Sequence, residues 1–173
     1  MAISTKPDAN VATPRSTQDI DNGAAFHVAL TTDNVWGNTL RVTFTTPNTT
    51  TLIHMNVKAS VYGTANFNII EAYTSGCNGG STLTPLNRYR DSTTTSVLTS
   101  THGTPTAGII TQGATVGVEG TTIHAETLQT GASEALFEDK IILKANAGYV
   151  IELLSVTASL PGNLILDWVE KTI

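Results

Sequence analysis

Cysteine occurs once in the 173 residues, at Cys77. Neither an intrachain disulfide framework nor a zinc site made of cysteines alone is therefore available, and packing must stabilise the chain. Charge is also scarce. Asp, Glu, Lys and Arg make up 13% of residues, against about a quarter in an average globular domain. No apolar run approaches the roughly 18 residues of a membrane span, and positions 1–14 lack the apolar stretch of a signal peptide. This predicts a protein made and kept in a cytoplasm unless an assembly carries it out. Nine basic residues face fourteen acidic ones, a net charge of −5, and the nine are scattered. Phosphate recognition needs clustered Lys and Arg, so a nucleic-acid partner is not expected.

What the chain does have is length for one domain with a real core, 40% hydrophobic residues, and threonine at about one position in six. Thr is β-branched, so it favours strands while leaving a hydroxyl for solvent or a neighbour. Neutral hydroxyls are cheaper to desolvate than ammonium or carboxylate groups, so a polar, weakly charged surface suits a permanent assembly partner. An ordinary Thr-rich domain that stays monomeric has the same composition.

Residues 1–22 carry prolines at Pro7 and Pro14 and isolated apolar positions at Ile3, Val11 and Ile20, with neither helix nor strand period. Two readings stand: an extended arm that orders along a neighbour, or a loose tail. From residue 23 to 173 the pattern is that of one β domain. Phe26, Val28 and Leu30 alternate with polar or small residues, as do Leu40, Val42 and Phe44, and most clearly Ile53, Met55, Val57, Ala59 and Val61. A period of two is the mark of a strand with one wet face. Further strands are expected over 67–73, in two or three pieces between 108 and 128, and over 141–143, 149–157 and 164–169. Residues 133–137 are the one candidate for a helical turn. Eight to ten strands without intervening helices predict an all-β, antiparallel sandwich or barrel, and a jelly roll is the version with about eight strands in two facing sheets.

Two stretches are distinctive together: Leu83-Thr84-Pro85-Leu86-Asn87-Arg88-Tyr89-Arg90-Asp91-Ser92, and Lys140-Ile141-Ile142-Leu143-Lys144-Ala145-Asn146 followed by Leu166-Asp167-Trp168-Val169-Glu170. With Gly23-Ala24-Ala25-Phe26-His27-Val28 and Thr45-Thr46-Pro47-Asn48 they resemble, in order, a family of small tailed-phage proteins. The chain departs from that family's pattern at Tyr89, Asp91, Ala145 and Ala147. The resemblance implies a virion structural protein without catalytic activity or cofactor: first a capsid decoration or cement protein, second a receptor- or carbohydrate-binding module of a tail or head fibre. In the first case the partners are the major capsid protein and further copies of the chain, as a homotrimer by fold analogy. The location is then the capsid surface, after synthesis in the bacterial host cytoplasm, with neither membrane nor nucleic acid engaged.

Catalytic constellations do not emerge. His27, His54, His102 and His124 form no His-x-His or His-x-x-x-His pair, so no metal site is expected. Ser92, His102 and Asp91 can be drawn as a triad only arbitrarily, with no Gly-x-Ser-x-Gly elbow. Glu119, Glu126, Glu134, Glu138 and Asp139 single out no glycosidase pair. The polar cluster with most content is Asn87, Arg88, Arg90 and Asp91, because guanidinium groups beside Asn and Asp make directed hydrogen bonds that fix a loop or hold a partner. Asp167 or Glu170 is the expected counter-charge. These four, with Ile3, Val11 and Ile20 on the arm, are the candidate interaction residues. Trp36 and Trp168 read as core or interface anchors.

Overall fold

The computed structural model describes residues 20, 22–32, 39–72, 79–100, 108–113, 120–129, 133–136, 141–156 and 161–173, with the backbone alone at 32 and 133–136. Every element among them is a strand: β1 (Ala25–Thr32), β2 (Thr39–Thr45), β3 (Thr51–Val61), β4 (Ala65–Glu71), β5 (Ser81–Leu83), β6 (Leu86–Asn87), β7 (Ile110–Gln112), β8 (Thr121–Leu128), β9 (Ser133–Leu136), β10 (Ile141–Leu143), β11 (Gly148–Ser155) and β12 (Gly162–Thr172). They form two antiparallel sheets. The first runs β10-β3-β12-β1-β6, with β9 also on β3, and the second runs β5-β7-β2-β11-β4-β8. The chain is an all-β sandwich with one core between the sheets.

The period of two explains the layers. In the first sheet Phe26, Trp168 and Met55 lie side by side on β1, β12 and β3, as do Val28, Leu166 and Val57. All six are buried in the core. In the second, Phe44 with Tyr149, Val42 with Ile151 and Ile69, and Leu153 with Phe67 occupy the same face. Each such side chain, fully buried, contributes about 1.5–3 kcal/mol relative to exposure. Phe26 stacks on Trp168 and Phe44 on Tyr149, with ring centroids 5.8 and 5.6 Å apart.

Residues 133–136 are strand β9, not the helical turn their composition suggests. They pair with Lys58 to Val61 along the edge of β3. Ladder hydrogen bonds offered by β3 outweigh the local preference of a few residues, which is a weak prior. The number of strands is also larger than expected, because β9 joins the sheet and because β5 and β6 are pieces of three and two residues without a readable period.

The outer face of the second sheet is less polar than alternation implies. Thr43, Val150 and Ile70 form a row pointing away from the core, and all three are buried, as is Glu152 in the next row. Glu152 accepts from Arg41 Nε at 3.0 Å and Nη2 at 2.6 Å, and its other oxygen accepts from Asn68 Nδ2 at 3.2 Å. At the ends of β10 and β11, the Tyr149 hydroxyl donates to Glu71 at 2.6 Å and accepts from Lys144 N at 2.7 Å. Burial, and then the bond to Glu71, hold this phenol well above its ordinary pKa.

Candidate functional site

The chain between β4 and β8 leaves the main sheet path and adds β6 to the edge of β1 and β5 and β7 to the side of β2. The cluster at 87–91 belongs to this excursion. Asn87 anchors it: Nδ2 donates to Gly23 O at 2.9 Å and Thr94 O at 3.1 Å, while Oδ1 accepts from Tyr89 N at 2.9 Å. Arg88 N donates to Ala25 O at 2.8 Å, continuing the pairing of Phe26 with Asn87 and His27 with Leu86. Gly23 closes the contact from the other side. Its φ is +68°, and a Cβ there would lie 2.6 Å from Ser92 Oγ, so any other residue would strain the backbone and displace the Ser92 side chain. Ile20 is half-buried and its carbonyl accepts from Gly23 N at 2.8 Å. The loop at 87–94 is thereby tied to the point where residues 1–22 join the sandwich.

Asn87 is thus spent on structure, whereas Arg88, Arg90 and Asp91 are exposed. Their side chains make no hydrogen bond or ion pair among the described residues. The counter-charges expected from sequence are engaged elsewhere. His27 Nδ1 donates to Asp167 Oδ1 at 2.9 Å, a pair set by the register that places His27 opposite Asp167. Glu170 is held by three donors described below. Arg88 nonetheless shares a small hollow with His54, Asn56 and Asp167. A wider, open basin of about 260 Å³ is lined by His27, Leu86, Asn87, Arg88 and Arg90. Leu86 and Tyr89 are 51% and 44% exposed, so two large apolar side chains flank the two exposed guanidinium groups. Ile3 and Val11 lie outside the described residues.

Glu170 fixes the far end of the excursion to the core. Its Oε1 accepts from Ser96 Oγ at 2.6 Å, Val97 N at 3.0 Å and Trp168 Nε1 at 3.0 Å, and Val97 N also lies 3.1 Å from Oε2. Leu98, two residues beyond Ser96, is fully buried in the core. Desolvation raises the Glu170 pKa above its ordinary 4.5, and the bonds from Ser96, Trp168 and Val97 oppose that rise. A raised carboxyl pKa means that the folded state binds the proton more tightly than the unfolded chain. The contribution is therefore fully present below pH 4.5 and is lost as pH rises through the raised value. Relative to Glu170→Gln, wild-type stability measured by urea denaturation should decline as pH rises above 4.5; a pH-independent difference contradicts this.

The remaining candidates are dispersed. Trp168 is a core residue, and Trp36, Cys77 and His102 lie outside the described residues. Ser92 Oγ accepts from Thr94 N at 3.1 Å within its own turn. His124 tilts against Phe67 with ring centroids 5.4 Å apart, and among the described residues no three His, Cys, Asp or Glu side chains are grouped as a metal site needs. Sequence reasoning missed the pairs His27–Asp167 and Arg41–Glu152. Each member occupies a polar position of an alternating strand, but only the register brings residues 140 and 111 positions apart together. No protein-family model, curated protein or solved structure matches the chain.

Proposed function

We propose that this chain is a structural protein of a bacteriophage virion, a decoration or cement protein that binds the major capsid protein on the outer capsid surface and stabilises the shell. Self-association as a homotrimer belongs to the same reading, and catalysis and cofactors do not. The observation that carries it is the surface at 86–91. Exposed Leu86, Arg88, Tyr89 and Arg90 lie on β6 and the loop that follows it, which is bonded through Asn87 to Gly23, where the N-terminal segment ends. Arginine and aromatic side chains dominate binding energy in protein interfaces, and an arm leaving from the same place enlarges the contact.

A jelly roll is the finer fold assignment, supported by the nesting of pairs: β1 with β12, β2 with β11, β3 with β9 and β10, β4 with β8. One long hairpin folded over itself into two sheets has this order.

The test is co-sedimentation with purified shells of the phage that encodes the chain. The full chain should pellet with shells. The double variant Arg88→Ala/Arg90→Ala should bind about tenfold or more weakly, the effect of losing one or two interface hot spots, and a chain lacking residues 1–20 should also be weakened. A full chain that stays in the supernatant rejects the reading, and an unchanged double variant removes the role of the arginines.

A receptor- or carbohydrate-binding module of a tail or head fibre is the second reading. It is favoured by an open polar basin of about 270 Å³ on the second sheet, lined by Asn66, Asn68, Ala125, Glu126 and Thr127, all but Ala125 carrying groups able to bond sugar hydroxyls. Glycan-array binding without affinity for shells would select it.

A further inference from the structure

Sheet edges carry unpaired backbone groups and are usually kept short, charged or covered. Three edges of this sandwich follow that rule. The first sheet ends in β6, of two residues, and in β9 and β10, of four and three. The second ends on one side in β5, of three residues. Its other end is β8, eight residues long, which pairs only with β4 among the described residues. β8 contains neither Lys, Arg nor Pro, and Glu126 is its single acidic residue. Residues 121–123 and 125–127 are exposed. A register shift at Ile69/Ile70 leaves Ile123 without a partner on β4, and its side chain is 42% exposed.

We propose that β8 is a self-association edge, on which a second copy of this chain pairs its own β8 antiparallel about a two-fold axis through Ala125. The argument for a second copy is the self-complementarity of the strand. With Ala125 opposite Ala125 of the other copy, His124 stands opposite Glu126, Ile123 opposite Thr127 and Thr122 opposite Leu128, each pair occurring twice. His124 can donate a hydrogen bond to the facing Glu126 carboxylate, polar and β-branched partners pair favourably across strands, and an isologous contact requires that one surface match itself. Within one copy His124 Nε2 and Glu126 Oε2 lie 3.6 Å apart on the same face. The pairing therefore assembles two His and two Glu side chains of alternating type around the axis. Backbone bonds along the edge extend the second sheet of one copy into that of the other, as in strand addition generally. This contact does not depend on the capsid reading and is separate from the threefold association proposed there.

The test uses purified full-length chain in light scattering and sedimentation equilibrium at high-micromolar concentration. The expected mass is a dimer, or a hexamer where the threefold association also forms. Ala125→Lys and Ala125→Glu, at an exposed position, should each halve that mass while leaving the circular dichroism spectrum unchanged. Mixing the two variants should restore it, because Lys and Glu then face each other at the axis. A wild-type chain that is monomeric or trimeric overturns the proposal, as does a mass that neither substitution changes. A mixture that fails to reassociate overturns the register.

Discussion

Replacing Arg41 with Ala is expected to lower stability by about 3–5 kcal/mol, the usual loss when one partner of a buried ion pair is removed. Glu152 is 5% exposed and sits on β11, the strand flanked by both β2 and β4. Without Arg41 its carboxylate keeps, among the described residues, the bond from Asn68, and the nearest alternative to solvation is protonation or a shift of the strand. The comparison that isolates the pair is Arg41→Met with Glu152→Leu. Replacing both charges by apolar groups of similar volume removes the desolvation cost together with the attraction, so the double variant should recover most of the loss. Guanidinium denaturation of the wild type, both single variants and the double variant gives the coupling energy. A double variant as unstable as Arg41→Ala shows that the pair is not buried as described.

Trp168→Ala should cost about 3–5 kcal/mol, as truncations of large buried aromatics do, and lower the melting temperature by roughly 10 °C for a domain of this size. Trp168 is 2% exposed, stacks on Phe26 and lies between Phe26 and Met55 across β1, β12 and β3. Its indole also donates to Glu170, so the side chain ties the core to the segment at 96–98. Trp168→Phe separates the two roles. It retains the stacked ring but removes the Nε1 donor, leaving the half-buried Glu170 carboxylate one bond short, and should cost about 1 kcal/mol. Near-equal losses for Ala and Phe would assign the whole effect to the hydrogen bond and remove the packing argument.

Legibility of the fold followed the period. Along β3, apolar side chains at 53, 55, 57, 59 and 61 are all buried and the intervening ones half-buried, as alternation predicts. On β2, Thr43 reads as a solvent-facing residue yet is fully buried. β11 likewise buries Val150 and Glu152 on the face away from the core. Alternation records which face a side chain takes, not what covers that face. β9 was misread for a related reason: a four-residue segment carries too little pattern to outweigh the strand edge it meets. In the candidate site, the composition of 87–91 marked the loop, but the division of labour within it was not readable. Asn87 holds the loop to Gly23, and Arg88 and Arg90 remain available, because the Asp167 expected to pair with them faces His27 instead.

The sequence by itself determined that the chain is built of strands, where the longest of them run, and which of their side chains face inward, since side-chain direction repeats with the backbone over two residues and needs no distant partner. Tertiary structure decided which strands are neighbours, in what register, and hence the cross-strand pairs His27–Asp167 and Arg41–Glu152 and the length of each free edge. Most of those depend on contacts between residues from about fifty to more than a hundred positions apart, whose free energy is set by packing in three dimensions and leaves no local trace in the chain.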